Sequence, residues 1–446
     1  MNNLVWFRND LRINDNHSLF QACQKKGKVI GVYFVDPRQF EMTRYGFKKT
    51  EKFRAKFLLE TLRDLKNNLA AKNISLLIFQ DLPENVFSKL VNDYQISTVF
   101  LQKEWTQEEV NVNSNVKNNI NGNGKNNSNS NGNGNGKNQI SRVEFVETYD
   151  QFLFHPSDIP YADFSKIPEV FTEFRKKCEK ESKIRPLVEI SIQPEENLVE
   201  TSNLIPSLED LGLESFKVHK HSAFPFRGGE TSALKRLNHY FFDTENLSQY
   251  KKTRNRLIGT DYSSKFSAWL ANGSISARTI YWKVQNYERE ICKNEDTYWL
   301  LFELIWRDYF KYISLKHGNK IFQLNGILGK KYDWKFNEKA LRQWINGNTR
   351  EPFVNANMLE LQQTGFMSNR GRQNVASYWA KEWEQDWRVA AAYFESMLID
   401  YDVHSNYGNW MYNSGVGNDP RDRKFNIKRQ AEMYDGDGKY QKLWLK

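Results

Sequence analysis

The stretch "KTEKFRAKFLLETLRDLKNNLAAKNISLLIFQ", residues 49–80, changes its period part-way, and that change decides the fold of the first domain. Up to Lys72, the apolar residues Phe53, Phe57, Leu58, Leu62, Leu65 and Leu69 recur every three or four positions, along one face of a helix. From Ile74 the chain becomes a short apolar run of the kind that forms a buried strand. "NLVWF" (3–7), "KVIGVYFVD" (28–36) and "STVFLQ" (97–102) repeat this second pattern. Strands alternating with helices predict a parallel α/β sheet. The turn after the first strand, "RNDLRIND" (8–15), contains no glycine. It is no dinucleotide fingerprint, although the sheet is Rossmann-like.

Residues 111–139 interrupt this order. About half of them are Asn, with repeated Asn-Gly pairs. Such a segment buries too little apolar surface to offset its ordering entropy, so a disordered insert is expected there, within an α/β domain spanning 1–150. "RVEFVETYDQFLF" (142–154) resumes as a strand and connection. Residues 151–228, with scattered prolines, read as a connector carrying one short helix near Phe171–Cys178. From 229 to 446 the pattern is helical. "TYWLLFELIWRDYFKYISLK" (297–316) and "QNVASYWAKEWEQDWRVAAAYFESMLID" (373–400) are long, amphipathic and rich in Trp, so the second domain is all-α.

The net charge is +10, and residues 221–446 carry 34 Lys and Arg against 25 Asp and Glu. Eleven of the thirteen tryptophans lie in the same part. Basic charge with abundant indole points to nucleic acid or a flat aromatic ligand, against the plainer reading of a soluble basic surface. The three cysteines, Cys23, Cys178 and Cys292, have no metal or redox spacing. A reducing cytosolic or nuclear setting is expected, with no metal, membrane span or signal peptide.

Several constellations have two readings. In "DYSSKFSAWLANG" (261–273), Ser263 and Ser264 could cap a helix running through Ala271, or cradle a phosphate together with Lys265. Glu303, Trp306 and Phe310 share a helix face. Glu303 could pair internally with Arg307, four residues on, or form the wall of a pocket that stacks on a base. Ser368 or Asn369 could cap a helix whose start carries Arg370 and Arg372, which suits a polyanion. Trp379, Trp383 and Trp387, spaced by four, form a stripe that is more often core than conduit. "DYDVHSNYGNWMYNSGVGNDPR" (400–421) places charge, amide and indole side by side without any nucleophile.

Taken in order, "FELIWRDYF", "TGFMSNRGRQ", "DWR", "SNYGNWMY", "GVGNDPR" and "YDGDGKYQKLW" resemble the photolyase/cryptochrome family over nearly the whole chain, most nearly its cryptochrome DASH branch. The opening "LVWFRNDLRINDN" is similar to the family's first strand and loop. The resemblance implies that a flavin carries the chemistry while the protein supplies orientation and electrostatics. It implies FAD binding by Tyr250, Ser263, Ser264, Lys265, Phe266 and Ser267 on the pyrophosphate side. Asn369, Arg372, Asp400, Tyr401, Asp402 and Asn406 would lie around the isoalloxazine, with Arg372 and Asp400 as ion partners. Trp410, Trp387 and Trp334 would carry electrons to the flavin.

The resemblance further implies a pocket for a flipped pyrimidine dimer, lined by Glu303, Trp306, Asn369, Gln373 and Tyr412. Glu303, Trp306 and Asn406 would carry the catalytic contacts, and Arg254, Arg307, Arg370 and Arg421 would hold DNA. Gln373 and Tyr412 stand where duplex photolyases carry methionine and tryptophan, so single-stranded or looped DNA is the expected partner of a monomeric chain. Glu108 and Glu109 resemble positions near a folate antenna, 5,10-methenyltetrahydrofolate. The Asn/Gly run replaces the helix that would follow them, which argues against a complete antenna site. The chain stops at Lys446, where family members commonly continue. A blue-light receptor without repair, or a flavoprotein that binds nucleic acid without repair, would use much of the same machinery.

Overall fold

The computed structural model describes residues 1–122, 142–201 and 204–446. Five strands, β1 (Asn2–Trp6), β2 (Val29–Phe34), β3 (Ser75–Phe79), β4 (Ile96–Gln102) and β5 (Glu144–Thr148), form one parallel sheet in the order β3-β2-β1-β4-β5. Alternate residues of the central strand feed two cores. Val5 and Phe7 pack with the helix Lys52–Ala70, and Leu4 and Trp6 pack with the helix Pro83–Asp93. Burial on both faces explains why these strands read as continuous apolar runs.

The break expected at residue 111 does not occur there. Gln107–Gly122 is an α-helix. Three of its four apolar residues, Val112, Val116 and Ile120, are spaced by four and meet the Phe87–Val99 side of the sheet core, with Val116 fully buried. Three well-placed side chains outweigh a run of poor helix formers, because tertiary packing supplies most of a helix's stability. Residues 123–139 of the expected insert lie outside the described residues. Val116→Ala should therefore lower stability by about 1–3 kcal/mol in urea denaturation, the range for emptying a small buried apolar site. A neutral substitution would mean that the helix does not depend on this contact.

The connector contains the helix Phe171–Glu181 and short 3-10 turns, and it returns to the sheet where Asn197 exchanges hydrogen bonds with the Val29 backbone at 2.7 and 3.0 Å. The remainder is helical. The long segment 373–400 is not one helix, however. It runs as Asn369–Ser377, a π turn Tyr378–Glu382, a reversal with Glu384 at φ +52°, and a new helix Trp387–Met397 capped by Asp386. Trp379, Trp383 and Trp387 therefore do not share a helical stripe.

The two domains meet at a buried ion cluster. Arg12 reaches Asp150 at 2.9 Å, while Arg278, on the helix Ala277–Glu290, reaches Asp15 at 2.9 Å and Asp150 at 2.6 Å. All four side chains are at most 2% exposed. Beside the cluster, Gly273 at φ +74° lies so close to the loop after β1 that a Cβ there would fall 2.0 Å from the Asn9 carbonyl oxygen.

Candidate functional site

Two helices build the site. Glu295–His317 begins with a capping box at Asn294 and Thr297, and Val403–Ser414 begins with Asp402, whose carboxylate accepts from Ser405 N at 2.8 Å. They cross at Gly408, where a Cβ would lie 2.2 Å from Phe310 Cδ1. Glycine in "SNYGNWMY" is thus required by close approach. The start of the second helix, with Tyr401 and Asp402, forms a wall between two cavities.

The smaller cavity, of about 80 Å³, is lined by Asn369, Arg372, Gln373, Asp400, Tyr401, Asp402, Asn406, Asn409, Trp410 and Asn413. One segment thus supplies most of the acids and amides, as its composition suggested. Arg372 donates to both Asp400 oxygens at 2.9 Å, the pair expected from sequence. Asn406 donates from Nδ2 to the Ala391 carbonyl at 3.0 Å, which leaves its Oδ1 as the available acceptor. Asp402 is held by Lys311 at 2.8 Å. Burial alone would push the Asp402 carboxyl up, but Lys311, His404 and Arg307 hold it well below the usual carboxylate range. Lys311 escaped the sequence reading, although a lysine inside the apolar "WRDYFKY" was a signal that it needed a buried partner.

Ser263 and Ser264 do not cap the following helix, which begins at Ser267 after Phe266 and has no side-chain cap. Their loop is held instead by the buried Arg236, which donates to the carbonyls of Thr260, Ser263 and Ser264 and pairs with Asp261 at 2.6 Å. Arg236 is a second residue missed from sequence, since nothing local marks it. Lys265 is nearly fully buried at φ +65°, a strained setting for a side chain-bearing residue. Its Nζ lies 3.3 Å from the Tyr262 ring centre and has no hydrogen-bond acceptor among the described residues. Burial pushes its ammonium well below the ordinary lysine value.

On the outer side, Glu303 pairs with Arg254, not with Arg307. Arg307 turns inward, donating to the carbonyls of Gln151 at 2.6 Å and Leu270 at 3.1 Å. Two fixed carbonyls satisfy its fork better than a helix-surface partner shared with solvent. Burial raises the Glu303 carboxyl, with Arg254 opposing. Trp306 is stacked on Phe171 of the connector at 3.7 Å and meets Tyr412 edge-on at 6.1 Å. Gln373 accepts from Arg370 at 2.9 Å, and the Tyr412 hydroxyl accepts from Arg423 at 2.6 Å. Arg421 is exposed nearby in sequence. Phe171 and Arg423 were not identified from sequence.

The larger cavity, of about 850 Å³, lies between the domains. It opens outside the carboxyl ends of β1 and β4, where the strand order reverses and open α/β sheets take their ligands. Glu108 and Glu109 line it from the first turn of the helix Gln107–Gly122, with Lys49 paired to Glu108. The expected loss of this wall is therefore overturned. Arg8 Nε, Arg54 Nε and Gln102 Oε1, all on lining residues, are buried without partners among the described residues. Burial, with Glu104 nearby, pushes the Glu109 carboxyl up to about 8.

Comparison with known proteins places this geometry. The DNA photolyase family model matches residues 3–195, and the FAD binding domain of DNA photolyase matches residues 299–446. A cryptochrome DASH of Gloeobacter violaceus is 44% identical over 99% of this chain and 85% of its own length. One from Xenopus laevis is 43% identical over 98% of this chain and 81% of its own. The chain belongs to the photolyase/cryptochrome family, in its cryptochrome DASH branch. The crystal structure of a Synechocystis cryptochrome matches with a TM-score of 0.90 at 40% identity, covering 100% of this chain and 88% of that one.

The cofactor of this cryptochrome DASH chain is FAD, and its residues fit that group. A buried ammonium without an acceptor, on a strained backbone beside two hydroxyls, suits a pyrophosphate. The amide and carboxylate lining of the smaller cavity, rather than its volume, suits the polar edge of an isoalloxazine. Trp410, Trp387 and Trp334 share one apolar cluster. Their ring contacts differ, however: Trp410 touches Phe394 and Trp344, Trp387 touches Tyr407, and Trp334 touches Tyr332. Among the described residues, no helix is long and apolar enough to cross a membrane.

Proposed function

We propose that this cryptochrome DASH splits cyclobutane pyrimidine dimers in single-stranded or looped DNA under blue light. Bound FAD would supply the photo-excited electron that the dimer accepts and returns on splitting. Every other requirement falls on the chain. The observation that carries the reading is the slot in which Trp306, backed by Phe171, faces the edge of Tyr412, within one helical turn of Glu303 and its partner Arg254. Stacked rings hold an unstacked pyrimidine. Burial pushes the half-buried Glu303 carboxyl up, against Arg254, so it would be able to share a proton with a pyrimidine carbonyl as negative charge develops there. The Asn406 amide would face the flavin, able to donate or accept there, and the ion pairs Arg372–Asp400 and Lys311–Asp402 fix the acids around it.

Arg254, Arg370 and Arg421 remain the DNA-facing arginines of this reading, joined by Arg423, while Arg307 drops out because it faces the interdomain cavity. The unpartnered Arg8, Arg54 and Gln102 atoms, with a Glu109 carboxyl that burial pushes up to about 8, support a folate antenna in that cavity, beside Glu108.

The test is blue-light illumination of purified protein with a dimer-containing oligonucleotide, single-stranded or annealed, followed by recovery of pyrimidine absorbance. Gln373 is polar and tied to Arg370, and Tyr412 presents a smaller ring than tryptophan, with its hydroxyl tied to Arg423, so the two offer less of the stacking that replaces duplex contacts. Base–aromatic stacking is worth roughly 1–3 kcal/mol. Losing part of it should favour single strands about ten-fold or more, taking 1.4 kcal/mol per decade. Gln373→Met with Tyr412→Trp should narrow that gap. Equal repair of both forms would contradict the substrate reading. No repair despite normal flavin photoreduction would favour a photoreceptor.

A further inference from the structure

We propose that Trp344, Trp379 and Trp383 form a second electron branch into Trp410, ending at a different point from Trp334. This rests on the electron-transfer reading above. Trp344 meets Trp410 at 6.3 Å and 67°, Trp379 at 5.2 Å and 44°, and Trp379 meets Trp383 at 6.3 Å and 55°. The four indoles thus form an unbroken series of ring contacts, whereas the ring contacts of Trp387 and Trp334 are to tyrosines.

The surroundings change along the series in the direction a positive charge would move. Trp344 is fully buried, and its Nε1 has no acceptor among the described residues. A cation formed there has no base to take its proton and passes on. Trp379 is also fully buried, but its Nε1 donates to the Asp386 carbonyl at 2.9 Å, so a carbonyl dipole faces the charge. Trp383 is partly exposed and packs against Tyr378 at 5.0 Å. Its acidic neighbours are already answered, Glu382 by Arg350 and Lys424, and Glu384 by Lys335 at 3.7 Å. Solvent access rather than local carboxylate charge therefore makes Trp383 the terminus. The π turn is what creates the route, because it sets Trp379 back into the core and carries Trp383 outward.

The electrons balance as follows. Trp410 would give one electron to the photo-excited flavin and be refilled in turn by Trp344, Trp379 and Trp383. Trp383 ends one electron short and releases its indole proton to water. An external thiol returns the electron, and solvent returns the proton.

The experiment uses the FAD-loaded full chain under blue light, with bound flavin per chain measured in every variant. One arm follows flavin photoreduction with dithiothreitol. The other omits thiol and maps oxidised tryptophan by peptide mass spectrometry. Trp387→Phe should retain photoreduction and light-dependent oxidation of Trp383, and adding Trp379→Phe should remove both. Trp383→Phe in the Trp387→Phe background should likewise remove photoreduction. Being partly exposed, that position serves if the Trp379 variant does not fold. The branch is overturned if Trp387→Phe alone abolishes photoreduction and leaves Trp383 unoxidised, or if Trp383 is still oxidised after Trp379→Phe. Photoreduction that survives Trp410→Phe would instead overturn the parent reading.

Discussion

Asp400→Ala should yield protein almost free of FAD and about 3–5 kcal/mol less stable, the cost of stranding one partner of a buried ion pair. Asp400 is 2% exposed, and both of its oxygens accept from one Arg372 nitrogen. The other Arg372 contacts are the Met367 carbonyl at 2.9 Å and the Phe366 ring at 5.6 Å, neither of which neutralises a guanidinium. Arg372 and Asp400 line the cavity from two separate segments, so losing the pair unties one from the other. Asp400→Asn keeps an acceptor of the same shape and should lose less. Flavin absorbance per chain, read beside urea denaturation of each variant, checks both. Normal flavin content in Asp400→Ala would remove this pair from the cofactor site.

Arg278→Met should cost a similar amount, about 3–5 kcal/mol, through a different part of the molecule. It leaves Asp15 with only hydroxyl and amide partners, and leaves Asp150 to Arg12 and His17. Burial would raise the Asp150 carboxyl, but Arg12, His17 and Arg278 together hold it below the ordinary carboxylate range. Its stabilising contribution is therefore fully present above the unfolded carboxylate value and is lost progressively as pH falls from there through the depressed one. Arg278→Lys should rescue little, because a single ammonium cannot span two carboxylates as a fork does. The expected signature in urea is one transition separating into two, as the α/β and helical domains uncouple. A single, unshifted transition would show that apolar contacts alone join them.

The elements themselves were legible wherever periodicity was strong. Buried parallel strands must be apolar on both faces, and the helix Lys52–Ala70 must present one apolar stripe, so both patterns are written locally. The helix Gln107–Gly122 was legible too, in Val112, Val116 and Ile120, but composition obscured three residues that packing made sufficient. The break in 373–400 had a weaker signal, since a π turn and a reversal at Glu384 require no glycine or proline. Within the site, the structure brings Arg372, Asp400 and Asn406, named from the family motifs, to the lining of one cavity.

By itself the sequence determined the two kinds of domain, their order, the family and the chemical inventory of the site. Each follows from neighbours a few positions apart, or from motifs that keep their spacing. Only the tertiary structure decided which of several cations answers which acid and which ring meets which ring. Glu303 had Arg307 one turn away and took Arg254. Trp306 took Phe171 from the connector, and Trp410 took Trp344. Chemically alike partners differ little in intrinsic attraction. The choice among them falls to burial, because the arrangement that leaves the fewest buried charges and donors unanswered is favoured, and burial exists only once distant segments have packed.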